Sequence, residues 1–182
     1  EGDRALLIQE IVTTALRLVD ERIDRGELKI LNSSLKELRH AFKVFSPYDR
    51  IHKVSILGSA RSSPQSAEYK MARNFAKKMA EAGYMVVTGG ASGIMEAANA
   101  GAGRDRSFGL NIRLPHEQMP NPFIIRDEKL MTFKYFFTRK LIFIKESNAV
   151  ALFPGGFGTH DEAFEALTLI QTGKTNPIPI VM

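Results

Sequence analysis

Residues 149–162 read Ala-Val-Ala-Leu-Phe-Pro-Gly-Gly-Phe-Gly-Thr-His-Asp-Glu, and they join an apolar run to the start of an amphipathic segment. The run from Ala149 to Phe153 is short, apolar and stopped by glycines, which is typical of a buried strand in a parallel sheet. After Thr159, apolar residues recur at helical spacing as far as Gly173, so we expect a helix after the turn. A strand, a glycine turn and a helix in this order predict one unit of an α/β fold.

The glycine turn itself predicts a site for an anion. Gly155, Gly156 and Gly158 have no Cβ, so they can take positive φ angles and let an anion approach backbone N–H groups at the helix N-terminus. Glu162 would lie one turn into that helix, close to the bound anion. Because a carboxylate beside a phosphate is electrostatically unfavourable, this position suggests a chemical role for Glu162.

The same alternation of strand, loop and helix occurs upstream. Apolar, β-prone runs predict strands at 53–57, 84–88 and 108–112, and helical spacing predicts helices at 66–82, 94–102 and 133–145. Glycine-containing loops follow the first two of these strands, at 58–61 and 89–93. We therefore expect a doubly wound parallel sheet of the Rossmann type, with the glycine loops and the ligand at the carboxyl ends of its strands.

The N-terminal part of the chain predicts a helical hairpin. Apolar residues at three- and four-residue spacings indicate a helix over residues 4–24 that ends near Gly26. Ser34 followed by Glu37 is a capping-box pattern, which predicts that a second helix starts there and ends before Pro47. Nothing in this pair suggests catalysis.

The periodicity changes after Arg50, and we place a domain boundary there. The expected domains are an N-terminal helical extension at 1–50 and a Rossmann-like nucleotide-binding catalytic domain at 51–182. The chain ends within a predicted strand at 177–182, so we expect the C-terminal part to be incomplete.

Composition narrows the functional classes. With 182 residues and 44% hydrophobic content, the chain can bury one sizeable core. The absence of cysteine excludes disulfides, thiolate metal sites and a thiol nucleophile. We see no signal peptide and no apolar run long enough for a bilayer, so we expect a cytoplasmic protein. A net charge of +5 favours anionic ligands, but no recognised nucleic-acid module is present, and we expect no nucleic-acid partner.

Two common cofactor motifs are not matched. The loop at 89–93 lacks the Gly-x-Gly-x-x-Gly order of dinucleotide-binding proteins, and neither glycine loop ends in the Gly-Lys-Ser/Thr of a phosphate-binding P-loop. No metal-ligand spacing connects the four histidines, which are His40, His52, His116 and His160. We therefore expect neither a metal nor a dinucleotide cofactor.

Several charged residues allow two interpretations from the sequence alone. Glu96 lies in the first turn of a predicted helix and could be a dipole-stabilised acid or a ribose contact. Arg139, inside an otherwise apolar helix, could extend to water or point into a site. Asp161 and Glu165 are interpreted as acids at a helix start.

The glycine loop and one upstream pair together match a known family pattern. The motif Pro154-Gly155-Gly156-Phe157-Gly158-Thr159-x-x-Glu162, preceded by Arg139-Lys140, resembles the signature of the LOG (Lonely Guy) family of nucleoside 5′-monophosphate phosphoribohydrolases. Members of that family are often mislabelled lysine decarboxylases. The likeness spans about residues 53–182, and Glu96 together with the region from Asn111 to Pro122 resembles the bacterial branch more than the plant enzymes.

The resemblance implies hydrolysis of the N-glycosidic bond of a nucleotide, such as AMP or a cytokinin ribotide, to the free base and ribose 5-phosphate. It implies a homodimer and no cofactor. It assigns Arg139 and Glu162 as the catalytic pair. The residues that it assigns to the 5′-phosphate are Gly155, Gly156, Gly158 and Thr159, and those that it suggests as further ligand contacts are Ser59, Gly90 and Glu96.

A second function remains open, which is a non-catalytic nucleotide or phosphorylated-pterin carrier of the same superfamily. Such a carrier could keep both glycine loops and lose the catalytic pair, so the presence of Arg139 and Glu162 favours the enzyme. A pyridoxal-phosphate decarboxylase is disfavoured because no lysine has a plausible setting for that cofactor.

Overall fold

The structure is a computed structural model that describes residues 2–115 and 119–182. The chain divides into two compact units, at 1–36 and 37–182. The first unit contains α1 (Gly2–Arg17) and the first part of α2 (Arg25–Phe45). Every described residue of α1 is at least partly exposed, so its apolar side chains form no core of their own. No helix in the described part of the chain combines the length and apolarity needed to cross a membrane.

The bounds of the two N-terminal helices differ from those that the sequence pattern predicted. The first helix stops at Arg17, and the predicted start of the second at Ser34 is wrong, because α2 already begins at Arg25. A reciprocal capping box explains this start: the Asp24 carboxylate accepts from Glu27 N at 2.9 Å, and the Glu27 carboxylate accepts from Asp24 N at 2.9 Å. Ser34 lies inside α2, where its hydroxyl donates to Ile30 O.

The second unit contains a six-stranded sheet in the order β4-β3-β2-β1-β5-β6, and every neighbouring pair of strands is parallel. The strands are β1 (Lys53–Leu57), β2 (Met85–Thr88), β3 (Ser107–Ile112), β4 (Leu130–Phe133), β5 (Ala149–Leu152) and β6 (Ile180–Val181). The helices that connect them are α3 (Ala67–Glu81), α4 (Ile94–Ala102), α5 (Phe136–Glu146) and α6 (Phe157–Gln171). The predicted Rossmann-like α/β fold is confirmed.

One strand was not predicted. β4 has only four residues, and the polar, exposed Thr132 interrupts its apolar residues. The sequence therefore contains no apolar run that would predict a strand here. The strand forms because Leu130 to Phe133 pair with the buried edge of β3. Tertiary pairing therefore decides this element rather than local preference.

Two apolar clusters cover the two faces of the sheet. On one face, Val54 and Ile56 of β1 pack with buried residues of α3 and α4. On the other face, the last two turns of α2 contribute Ala41 and Phe45 to a cluster that includes buried residues of β2, β3 and α5. The Phe45 ring stacks on Phe108 at 4.3 Å between ring centroids. Burial on both faces is what a parallel sheet requires.

Glu37 connects α2 to the start of α5. Its carboxylate accepts from Lys134 N at 2.8 Å and from the Thr138 hydroxyl at 2.6 Å. The acid that the sequence pattern assigned to its own helix start therefore binds the residue before the N-cap of α5 and a side chain of its first turn, across 97 residues of chain from Lys134. This contact matters for function because α5 carries Arg139.

Candidate active site

A groove of about 600 Å³ lies at the carboxyl ends of the strands. Its walls come from the loops after β1, β2, β3 and β5, together with the first turns of α5 and α6. The strand order reverses between β1 and β5, and ligands of open α/β sheets bind outside the strand ends at such a reversal. The volume falls within the range of roughly 300–1,000 Å³ typical of small-molecule sites. The predicted gathering of the glycine loops at one edge is confirmed.

Backbone hydrogen bonds hold the loops of this edge together. Ser59 N donates to Pro154 O at 3.0 Å, and Ile94 N donates to Ser59 O at 2.9 Å. Gly93 has a φ of +67°, and a Cβ there would collide with the carbonyl oxygen of Ser59. The loop after β1 is therefore fixed between the loops that follow β2 and β5, which places Ser59 in the groove wall.

The first turn of α6 presents bare backbone to the groove. Gly156, Phe157, Gly158 and Thr159 line it, and their N–H groups find no hydrogen-bond acceptor among the residues that the structure describes. Free N–H groups at the positive end of a helix dipole form a site for an anion.

The glycines of this loop do not use the positive φ angles that are open to them: Gly155, Gly156 and Gly158 all lie outside the left-handed region. Glycine is needed here for space instead. A Cβ on Gly155 would collide with the Thr159 side chain, which folds back over the loop. Gly156 and Gly158 have open space where a Cβ would be, so their backbone stays accessible from the groove.

Arg139 and Glu162 form an ion pair in the wall of the groove. Arg139 Nη2 lies 3.0 Å from Glu162 Oε1, and the two side chains are only 8% and 13% exposed. Arg139 Nε donates to Leu110 O at 2.8 Å, at the end of β3, and the guanidinium lies over the Phe143 ring. The Arg139 side chain therefore points into the wall of the groove and does not extend to water.

Burial acts on both members of this pair in opposite directions. It raises the pKa of the Glu162 carboxyl, and the Arg139 charge opposes that rise. It lowers the pKa of the Arg139 guanidinium, and the Glu162 charge opposes that fall. An arginine stays protonated in proteins, so Arg139 supplies a fixed positive charge, whereas Glu162 can exchange a proton nearer neutral pH than an ordinary glutamate.

The guanidinium occupies space that only glycine leaves free. A Cβ on Gly89, at the end of β2, would lie 2.8 Å from Arg139 Nη2 and 2.6 Å from the Met95 sulfur. Gly89 was noted in the sequence only as part of a loop. The sequence does not show why this position is glycine, because Arg139 comes from α5 and meets Gly89 only in the folded chain.

Two of the predicted ligand contacts do not line the groove. Gly90 has a φ of +69°, and its N–H donates to the Thr88 hydroxyl beneath the loop. Glu96 accepts a hydrogen bond from the Tyr69 hydroxyl at 3.1 Å. Their assignment as ligand contacts stays a prediction. Asn111, which sequence reasoning did not single out as a ligand residue, does line the groove. The available signal was a polar residue near the carboxyl end of a predicted strand.

Three further predictions concern this edge. His116, one of the four histidines without metal-ligand spacing, lies outside the described residues. Within residues 2–115 and 119–182, no three His, Asp or Glu side chains cluster so that they could hold a metal ion. Asp161 and Glu165, interpreted as acids at a helix start, both pair with Lys140.

Comparison with protein families gives one match, to the family described as "Possible lysine decarboxylase", over residues 91–182. That range contains Arg139, the glycine loop after β5 and Glu162. No curated protein matches the chain significantly in sequence.

Several solved structures share the fold. The crystal structure of the protein TM1055 is 26% identical, covers 65% of this chain and 70% of its own, and has a TM-score of 0.50. The molybdenum cofactor binding protein of the phototrophic bacterium Rippkaea orientalis is 22% identical over 72% of this chain and 76% of its own, with a TM-score of 0.54. DNA processing protein A of Helicobacter pylori, which binds single-stranded DNA, is 18% identical over 71% and 64%, with a TM-score of 0.52. The last two likenesses show a common fold.

Proposed function

The chain belongs to the family described as possible lysine decarboxylase, and from that premise we propose that it is a nucleoside 5′-monophosphate phosphoribohydrolase of the LOG type, close to the bacterial branch. It would hydrolyse the N-glycosidic bond of AMP or a similar nucleotide, such as a cytokinin ribotide, to the free base and ribose 5-phosphate. The observation that carries this proposal is the buried Arg139–Glu162 pair beside the free N–H groups of α6, in one groove.

In the proposed complex, the 5′-phosphate lies at the N-terminus of α6. The backbone of Gly156 and Gly158 donates to its oxygens, and the Thr159 hydroxyl adds a further donor. Gly155 allows this arrangement because it leaves room for the Thr159 side chain. Ser59, which also lines the groove, is proposed as an additional ligand contact.

Glu162 would act on the ribose. When the bond from C1′ to the base nitrogen breaks, the base leaves with the bonding electrons and positive charge develops on the ribose ring. A carboxylate near C1′ stabilises that charge and accepts a proton from the water that attacks C1′, while the departing base takes up a proton. The burial that raises the pKa of Glu162 makes it a better proton acceptor.

Arg139 would keep Glu162 oriented and ionised. Its Nε is fixed on Leu110 O and its Nη2 on the carboxylate, so the carboxylate is held in one position before substrate arrives. Its Nη1 makes no hydrogen bond with any residue that the structure describes, and is therefore available to a phosphate or ribose oxygen.

The test is release of free base and ribose 5-phosphate from AMP, GMP, IMP, CMP, UMP and a cytokinin ribotide. We expect release from at least one nucleotide, and a fall of roughly a thousandfold or more in Glu162→Gln, which keeps the shape and removes the charge. Lys145→Met, on the face of α5 away from α6, is the matched control and should stay within about twofold. Glu162→Gln activity within a few fold of the unaltered protein would rule out the carboxylate role.

A second candidate is a carrier that binds a nucleotide or phosphorylated pterin without chemistry. The free N–H groups at α6 would hold the phosphate of either ligand, and the chain shares its fold with a molybdenum cofactor binding protein. Calorimetric binding of nucleotide by well-folded protein that releases no base from any of the six substrates would favour this candidate.

The residues that line the groove do not fit the decarboxylase activity that the family description names. A pyridoxal-phosphate enzyme binds its cofactor through a lysine, and no described residue that lines the groove is a lysine. The proposed reaction uses neither that cofactor nor a metal. Because its substrates are intracellular nucleotides, we also propose a cytoplasmic location, with no nucleic-acid partner, and a homodimer as in the family that the motifs resemble.

A further inference from the structure

Helices α5 and α6 face each other through a cluster of five charged side chains, Arg139, Lys140, Asp161, Glu162 and Glu165, here called the charge cluster. Lys140 Nζ lies 2.6 Å from Glu165 Oε2 and 3.2 Å from Asp161 Oδ2. Its side chain is 19% exposed, so this lysine is mostly enclosed between the two helices. The proposed reaction assigns it no role.

The two acids that Lys140 contacts are one helical turn apart on α6. Residues four apart on a helix lie on the same face, so Lys140 binds both ends of a single turn. Glu162 belongs to that turn. A cation held at both ends fixes the rotation of the turn about the helix axis, and this rotation decides whether Glu162 meets Arg139.

The balance of charge in the charge cluster also indicates that Lys140 keeps Glu162 in place. The charge cluster contains three carboxylates and two cations, and Arg139 forms an ion pair with only one of these carboxylates, Glu162. Without Lys140, Asp161 and Glu165 would repel Glu162 with no cation between them. The hydrogen bond to Glu165 raises the pKa of Lys140, so its charge persists across the working pH range.

We propose that Lys140 is a positioning residue that holds the first turns of α6 against α5, so that Glu162 stays within reach of Arg139 and of the bound nucleotide. The expected effect of Lys140 on the reaction rate rests on the proposed function. The expected effect of Lys140 on the position and pKa of Glu162 does not.

The first test compares Lys140→Met, Lys140→Arg and the control Lys145→Met. Lys145 is also on α5 and pairs at 2.6 Å with an acid, Glu146, but contacts no charged residue of α6. We expect Lys140→Met to lower kcat/KM roughly ten- to hundredfold, mainly through kcat, since a small misplacement of a catalytic group costs that much. Lys140→Arg should recover most of the loss, and Lys145→Met should stay within about twofold.

The acid limb of the pH–rate profile gives a second readout. The charged groups that act on Glu162 are Arg139 and Lys140 from α5 and Asp161 and Glu165 from α6, and Arg61 after β1 lines the same groove. Removing the Lys140 charge leaves both neighbouring acids uncompensated, which raises the Glu162 pKa. The acid limb should therefore move to higher pH in Lys140→Met and stay unchanged in Lys145→Met.

A third readout is independent of catalysis. The Glu162 carboxyl carbon can be titrated by NMR without substrate, assigned with Glu162→Gln. In Lys140→Met the midpoint should rise, and amide exchange in the first turns of α6 should accelerate relative to Lys145→Met. An unchanged midpoint and unchanged exchange would overturn the role of Lys140. If the unaltered protein releases no base from any nucleotide, the proposed function fails, while the titration and exchange still decide the role of Lys140.

Discussion

At the scale of single residues, the site depends on how a buried guanidinium is accommodated. Arg139 has its Nε on a strand carbonyl, its Nη2 on Glu162 and an aromatic ring beneath it. Gly89 leaves the remaining space. Each of these contacts comes from a different part of the chain, so a small change at any of them moves the charge that Glu162 depends on.

Gly89→Ala tests this arrangement. The added Cβ would lie 2.8 Å from Arg139 Nη2 and 2.6 Å from the Met95 sulfur, so both side chains must move. The flexible methionine can shift, but the guanidinium is fixed at three points. We expect kcat/KM to fall roughly ten- to hundredfold, with a small decrease in melting temperature. Steady-state kinetics and thermal unfolding measure the two effects. Full activity in Gly89→Ala would mean that the guanidinium has more room than its contacts imply.

At the scale of elements, the position of α5 depends on a carboxylate from another helix. Glu37 accepts from Lys134 N and from the Thr138 hydroxyl, just before and within the first turn of α5. The N-cap residue of α5, Tyr135, makes no side-chain cap, and the bonds of Glu37 do not reach the backbone N–H groups of the helix itself. The Glu37 carboxylate instead fixes the chain that enters α5 and the Thr138 side chain, and its negative charge lies near the positive end of the helix dipole.

Glu37→Ala should therefore reduce the free energy of unfolding by about 1–2 kcal/mol, because two hydrogen bonds to a carboxylate are lost. Glu81→Ala is the control, because Glu81 makes only an exposed ion pair with Lys77 and should cost at most about 0.5 kcal/mol. Urea unfolding followed by circular dichroism measures both values. Equal stability of the two variants would show that Glu37 does not stabilise α5.

At the scale of the whole molecule, an exposed apolar surface on α5 and α6 agrees with the proposed homodimer. Large side chains of both helices are about half exposed in the single chain: Phe136 50%, Phe137 53%, Leu141 46%, Phe164 63% and Leu167 45%. Several large exposed apolar side chains on two adjoining helices often mark an interface between proteins. The same helices carry Arg139 and Glu162, so a dimer through them would lie next to the groove.

Sedimentation velocity tests the dimer. We expect the unaltered chain to sediment at twice the monomer mass, and Phe164→Asp to sediment as a monomer, because it places a charge in the apolar surface. Met71→Asp is the control, since Met71 is a similarly exposed apolar residue on α3, away from this surface. A monomer at every concentration in the unaltered chain would contradict the dimer proposal.

The sequence by itself determined the class of the fold and the edge at which the site lies. Apolar runs stopped by glycines define buried parallel strands, and parallel strands bring their carboxyl ends to one edge, so β1, β2, β3 and β5 could be predicted. The start of α6 and the motif that contains Glu162 could be predicted for the same local reasons. Helix periodicity also indicated α3, α4 and α5.

Only the tertiary structure decided which way Arg139 points, that Gly89 makes room for it, that Glu37 binds the start of α5 and that Lys140 binds α6. It also decided that β4 is a strand. The physical reason is common to all of these features. Local sequence fixes backbone preference and the spacing of apolar residues, whereas the partner of a charged side chain comes from a distant part of the chain and is specified only when the elements pack together.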